Sequence, residues 1–431
     1  LRLSYGHENE TGIHANVGEF RRAGRRGEVI VPRLASRISQ LSGEGALAVF
    51  ARARQLERAG RSIIHLELGE PDFHPSAPVL EAAKRALDAG RDRYCPPAGL
   101  PELREAIAEY LLRTRQFSTH ADRVLVAPGC KATLFLVLLA LVEPGDEVLY
   151  PDPGFPLYPS LTRALGGVPR PFRLAKEHRF QPDPEEIEAA ITPRTRVLIL
   201  NSPNNPTGSV DDPPLLARLA HAAIEHDLFV VSDEIYARIT YDAPYRSIAS
   251  LPEMADRTVI VDGFSKSFAM TGWRLGYAVA PPQVHAALCM LVENSYTCAS
   301  EFIQWAAIDA LRDPSAAVPA MVAEYRRRRQ LLVTGLNAIP GFQCLQPAGA
   351  FYAWADISVT GLTDRAMAEL LLEEAGVAAI PGSAFGAGGT GFLRFSFAAN
   401  SAFLEEAAAR IRNLSSRWTS APVANPAPHT P

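Results

Sequence analysis

Residues 262–277 read DGFSKSFAMTGWRLGY, and the fold of this chain is decided by how that stretch is understood. It leaves a β-branched run, TVIVD, crosses small and polar residues, and enters a second apolar run, GYAVA. Strand, turn and strand is the plain reading. Lys266 lies in the turn between hydroxyls at Ser265 and Ser267, and Arg274 follows eight residues on. A lysine amine becomes available as a nucleophile when desolvation or nearby cations displace its proton. A fixed guanidinium beside hydroxyls suits a phosphate group. Lysine is scarce here: of 43 basic residues only Lys84, Lys131, Lys176 and Lys266 are lysines.

Outward from this turn, residues 76–280 alternate helical and short β-branched segments. Helical spacing covers 78–89, 102–113 and 215–226, and a long apolar helix follows Gly129. Strands are expected at 124–127, 147–150, 196–200, 228–232, 258–262 and 276–280. This is an α/β pattern with a mostly parallel sheet covered by helices, and ligands collect at the carboxyl ends of such strands. Beyond residue 314 the pattern shifts to a smaller α+β unit with a long helix, PAGAFYAWADI, a helix at 365–375 and a strand at 392–397. The expected division is a disordered leader at 1–32, a joining segment at 33–75, a large domain at 76–313, a small domain at 314–415 and a disordered tail at 416–431. The arginine run 326–329 reads as the solvated face of an amphipathic helix.

With 431 residues and 47% hydrophobic composition the chain can bury a large core. A net charge of −4 points to no nucleic-acid partner, and the longest apolar run, 132–142, is too short to span a bilayer. The five cysteines show neither metal-ligand nor redox spacing, so no metal and a reducing, cytoplasmic setting are expected. Arginine pairs at 21–22 and 25–26 invite comparison with an export signal, but no apolar segment follows them.

The turn at 262–277 closely resembles the cofactor-lysine motif of class I and II pyridoxal-phosphate aminotransferases, and seven further segments resemble that family in the same order. The resemblance implies fold type I, with a seven-stranded sheet in the large domain, and pyridoxal 5'-phosphate joined to Lys266 as an imine. LGEPDF at 68–73 resembles the glycine motif in which Gly69 approaches the substrate carboxylate. YCPPAG, from Tyr94, resembles the segment whose tyrosine crosses a homodimer interface to the partner's cofactor phosphate. VAPGCKAT places Gly129, Cys130 and Lys131 at a helix start, where exposed N–H groups attract phosphate. DPGFPLY at 152–158 resembles the turn that lays an aromatic ring, here Phe155, on the cofactor. NSPNNPTG at 201–208 and SDEIY at 232–236 resemble the segments whose asparagine (Asn205), aspartate (Asp233) and tyrosine (Tyr236) hold the cofactor ring. Asn205 is also implied in substrate binding, beside Gly69. An anion beside the ring nitrogen keeps it protonated, so the ring can absorb electrons. GFLRFSFA at 391–398 puts Arg394 where the family grips the substrate carboxylate. Lys266, Asp233 and Tyr236 are the implied catalytic set; Ser265 and Arg274 would bind the phosphate.

Taken singly, each segment has an ordinary reading: a turn for Gly69, packing for Tyr94 and Phe155, a helix cap for Asp233. The series supports ping-pong transfer of an amino group from an L-amino acid to a 2-oxo acid such as 2-oxoglutarate or pyruvate. A lyase, a synthase or an amino-acid oxidase on the same fold is the alternative; a regulator fused to a DNA-binding domain would need a longer segment ahead of the fold. Substrate preference is left open. Lys131 matches a lysine that meets a distal carboxylate in acid-specific members, whereas Glu44, in the stretch bordering the pocket, would repel one.

Overall fold

The structure, a computed structural model, describes residues 33–43, 45–313, 315 and 317–419. The expected leader at 1–32, residue Glu44 and the chain after residue 419 lie outside the described residues. A two-residue strand, β1 (Ile64–His65), precedes the main sheet. That sheet contains β2 (Val124–Ala127), β3 (Glu147–Asp152), β4 (Val168–Arg173), β5 (Thr195–Asn201), β6 (Phe229–Asp233), β7 (Thr258–Gly263) and β8 (Gly276–Val279).

The strand order is β2-β8-β7-β6-β5-β3-β4, seven strands in all. Only β8 runs against its neighbours; the other pairings are parallel. The central strands are buried on both faces, which explains their continuous Val, Ile and Leu runs. Six of the seven strands coincide with expected ones. The exception is β4, whose Pro169 and Pro171 argue against a strand. Proline lacks the N–H that a central strand must donate, but β4 is an edge, where one side needs no donor.

A second, antiparallel sheet of four strands has the order β12-β13-β10-β9. Here β9 is Gln343–Cys344, β10 is Tyr352–Asp356, β12 is Ile380–Pro381 and β13 is Phe392–Ser396. β1 pairs in parallel with β11 (Val377–Ala378), tying the segment ahead of residue 76 to the C-terminal part of the chain. The helices Ala317–Asn337 and Ser401–Asn413 share the apolar cluster behind this sheet, with Tyr325, Leu332, Phe395 and Leu404 almost fully buried.

Two expectations are corrected. Arg328 and Arg329 are buried rather than solvated. Arg328 bridges Asp72 and Glu324, and Arg329 bonds Asp242 and the Pro347 carbonyl, because the helix carrying them lies between other elements. Within the expected tail at 416–431, Ser416–Thr419 form a helical turn, and the Trp418 indole is buried with its N–H donated to the Pro340 carbonyl at 2.8 Å.

Candidate active site

Strands β5, β6 and β7 end side by side, and the residues just beyond them form the floor of a cavity of about 370 Å³. Asn205, Asp233, Tyr236, Ser265 and Lys266 line it from these strand ends. Cys130, Lys131, Phe155 and Arg274 line it from neighbouring turns, and Gly69 and Arg394 close it from the other sheet's side. Of the four lysines, Lys84 is paired with Glu81 at the surface and Lys176 with Asp356, whereas Lys131 and Lys266 reach the cavity.

The Lys266 amine donates to the Gly69 carbonyl oxygen. Burial pushes its ammonium down to about 8, and the Arg394 and Arg274 guanidinia act in the same direction. An amine so placed is partly unprotonated near neutrality, as a nucleophile or base requires. On the floor, burial pushes the Asp233 carboxyl up to about 6. The Tyr158 hydroxyl, donating to it at 2.7 Å, opposes that rise.

Arg274 has left-handed backbone geometry, with φ +52°, and donates to the Thr271 carbonyl at 2.8 Å. This turn carries its guanidinium against Gly129, which caps the helix Cys130–Leu141 with φ +88°. A Cβ at Gly129 would push that guanidinium aside, and the positive φ by itself favours glycine. A cation and a helix N-terminus thus meet at one corner, the arrangement that holds a phosphate.

Arg394 is almost fully buried on β13. It donates to Asn205 Oδ1 at 2.8 Å and to the Glu67 carbonyl oxygen, and its guanidinium lies 4.3 Å from the Tyr352 ring centroid and 4.8 Å from that of Phe385. No ion pair is recorded for it among the described residues, and Nε has no hydrogen-bond partner. A buried cation lacking a carboxylate is costly unless a ligand supplies one.

Thus eleven of the residues singled out in the sequence share one cavity. Gly129 stands behind it. Tyr94 does not line it and is 87% exposed. Three supporting residues lie outside the set expected from the sequence. Tyr158, three positions after Phe155 on the helix beginning there, holds Asp233. Tyr352 shares a 2.7 Å hydrogen bond with Tyr236, and its hydroxyl excludes any side chain at Gly69. Asn201 accepts from the Asn205 amide at 2.9 Å and donates to the Asp233 carbonyl. Tyr158 lies within DPGFPLY and Asn201 within NSPNNPTG; their bonds to Asp233 cross 75 and 32 positions, beyond what local sequence shows.

Comparison with known proteins gives a consistent result. Residues 61–411 match the family model described as aminotransferase class I and II. The chain is 41% identical to an aspartate/prephenate aminotransferase of Thermus thermophilus over 89% of this chain and 99% of that protein. It is 39% identical to aromatic-amino-acid aminotransferase 2 of Thermococcus litoralis over 88% of this chain and 98% of that protein. Among solved structures, Thermus thermophilus aspartate aminotransferase with maleate superposes with a TM-score of 0.86 at 40% identity, covering 89% of this chain and all of that one.

Proposed function

Because the chain belongs to the class I and II aminotransferases and moves an amino group from an amino acid to a 2-oxo acid, we propose that it does so with pyridoxal phosphate at Lys266 and that one substrate of the pair carries a second carboxylate. The observation that carries this reading is the meeting of the Lys266 amine, the Asp233 carboxylate and the Arg394 guanidinium in one cavity. The donor set fits the cofactor: Asp233 for the ring nitrogen, Asn205 and Tyr236 for the phenolic oxygen, Phe155 for the ring face. Ser265, Arg274 and the helix start at Gly129, Cys130 and Lys131 suit its phosphate. When bound, the cofactor supplies an electrophilic aldehyde carbon and an electron-withdrawing ring.

The chain's own residues then have defined tasks. Arg394 grips the substrate α-carboxylate with two parallel N–H donors and so fixes which bond at the α-carbon faces Lys266. The Gly69 carbonyl, by accepting from the Lys266 amine, keeps that nitrogen over the cavity. With the cofactor bound, the Lys266 Nζ would serve as general base for the substrate's α-proton and hold that proton for its return. The Tyr236 hydroxyl remains protonated, its pKa raised by burial, and so acts as a donor.

Lys131 supports the second-carboxylate reading, since its ammonium lines the same cavity, 5.8 Å from the Phe155 ring centroid. The relatives named for aspartate point the same way. In this proposal two copies associate, with the exposed Tyr94 reaching toward the second copy's phosphate, in a cytoplasmic enzyme. No helix among the described residues is long and apolar enough to cross a membrane.

The test is a half-reaction screen of the twenty amino acids, followed by 2-oxoglutarate and pyruvate as acceptors. Aspartate or glutamate should convert the bound cofactor fastest, and Lys131→Ala should lower kcat/KM for aspartate at least about tenfold more than for alanine. Equal losses for both would remove the acidic-substrate reading, and oxygen uptake without need of an oxo acid would remove transamination.

A further inference from the structure

Behind Arg394 lies a second set of charges that the transfer reaction does not use. Glu67 is fully buried, and its backbone carbonyl accepts from Arg394. One oxygen of its carboxylate meets His65 Nδ1 at 2.7 Å; the other has no hydrogen-bond partner. His65 Nε2 in turn meets Glu57 Oε1 at 3.1 Å, and Glu57 is held by Arg54 at 2.8 Å. The Phe50 ring packs beside the imidazole, and the neighbouring strand β11 offers only Val377 and Ala378. The charged groups facing His65 are therefore Glu57 from the helix Gly45–Arg58 and Glu67 from its own segment.

A fully buried carboxylate with a single donor is expensive to keep. Nothing in the two-residue strand β1 needs it. Its carboxyl carbon is four bonds from the carbonyl that holds Arg394, so its charge stands within about 8 Å of the guanidinium. At an effective dielectric of about 20, an uncompensated carboxylate repels an anion held by the arginine, roughly 12 Å away, enough to weaken its binding about tenfold.

We propose that His65 and Glu67 form a charge pair that sets how strongly Arg394 holds a substrate carboxylate, with His65 neutralising an anion that otherwise competes with substrate for the arginine. The inference rests on the reading of Arg394 as the carboxylate site. It has a pH corollary. The hydrogen bond to Glu67, then the charges of Glu67 and Glu57, raise the His65 pKa above its ordinary 6.5, against desolvation. The imidazole is cationic below that raised value and loses its proton above it. Carboxylate affinity therefore falls as pH rises through it.

The experiment measures maleate binding to the cofactor-loaded enzyme by calorimetry and KM for L-aspartate, from pH 6 to pH 9. His65→Gln, which keeps a donor to Glu67 but carries no charge, should weaken maleate about tenfold at pH 6. Glu67→Gln, which preserves shape, should bind as the wild type does at pH 6 and lose the part of the pH dependence that His65 supplies. The double variant His65→Gln/Glu67→Gln should recover the affinity of Glu67→Gln, a rescue that a purely structural role for His65 would not give. The proposal is overturned if the Glu67→Gln profile parallels the wild type, or if the double variant binds as weakly as His65→Gln. Arg394→Gln separates the two levels: if it keeps wild-type affinity, the reading of the carboxylate site has failed, whereas lost affinity there with no effect of Glu67→Gln sinks the charge pair alone.

Discussion

The buried hydroxyl of Tyr158 donates a 2.7 Å hydrogen bond to the carboxylate of Asp233, joining the helix Leu157–Ala164 to the end of β6. Burial favours the neutral acid at Asp233, and Tyr158 favours the anion. Tyr158→Phe removes that support, so the Asp233 pKa rises. Since the site needs the anion, the acidic limb of the kcat/KM profile should move to higher pH. The rate on the plateau should fall about tenfold, the worth of one hydrogen bond to a charged group. An unmoved acidic limb would show that Asp233 is held ionised by other means.

Lys266→Ala should abolish transamination and the imine absorbance near the visible edge while leaving the far-ultraviolet circular dichroism unchanged. Normal turnover in this variant would end the assignment. Its cofactor-free form also carries a linkage signature. The lysine's folded pKa, about 8, is below the ordinary 10.5, so the folded wild type is penalised where the amine is charged in the unfolded chain. That penalty is complete below pH 8 and disappears as pH rises toward 10.5. The thermal stability of the wild type relative to Lys266→Ala should therefore improve across this window.

Gly129→Ala forces a side chain into an extended backbone at positive φ, a region essentially confined to glycine, and onto the Arg274 guanidinium. The expected result is a loss of cofactor affinity of at least about tenfold, from backbone strain of about 1–3 kcal/mol and displacement of a cation. Titration of the cofactor-free protein with pyridoxal phosphate checks it. The helix beyond should remain formed, so far-ultraviolet circular dichroism should not change.

Arg115 is buried between Glu234 and Asp262, which are also held by Ser232, Ser247 and Tyr277. Replacing it with methionine strands two carboxylates beside Asp233. A destabilisation of about 3–5 kcal/mol in urea unfolding is expected, as for other broken buried pairs. A loss under about 1 kcal/mol would mean that the carboxylates take up protons or water at little cost.

Six of the seven main strands were legible because continuous β-branched runs mark buried parallel strands, as at 196–200 and 258–262. β4 was not, since a proline-bearing edge strand differs from a loop only by the neighbour it pairs with. The residues of the candidate site were legible by another route: Lys266, Asn205, Asp233 and Arg394 each stand in a short segment that resembles the aminotransferase family.

The set of chemical groups and the turns that present them can thus be read from short stretches of sequence, because the motifs that carry the resemblance are local. How those groups are tuned depends on packing between distant segments. Tyr158 meets Asp233 across 75 positions, and Arg394 meets Asn205 across 189. Tyr352 fills the space at Gly69, and Glu67 stands behind Arg394. Such pairings obey no spacing rule. They arise where strand ends from distant parts of the chain are packed together, and burial there sets the pKa values of Lys266 and Asp233.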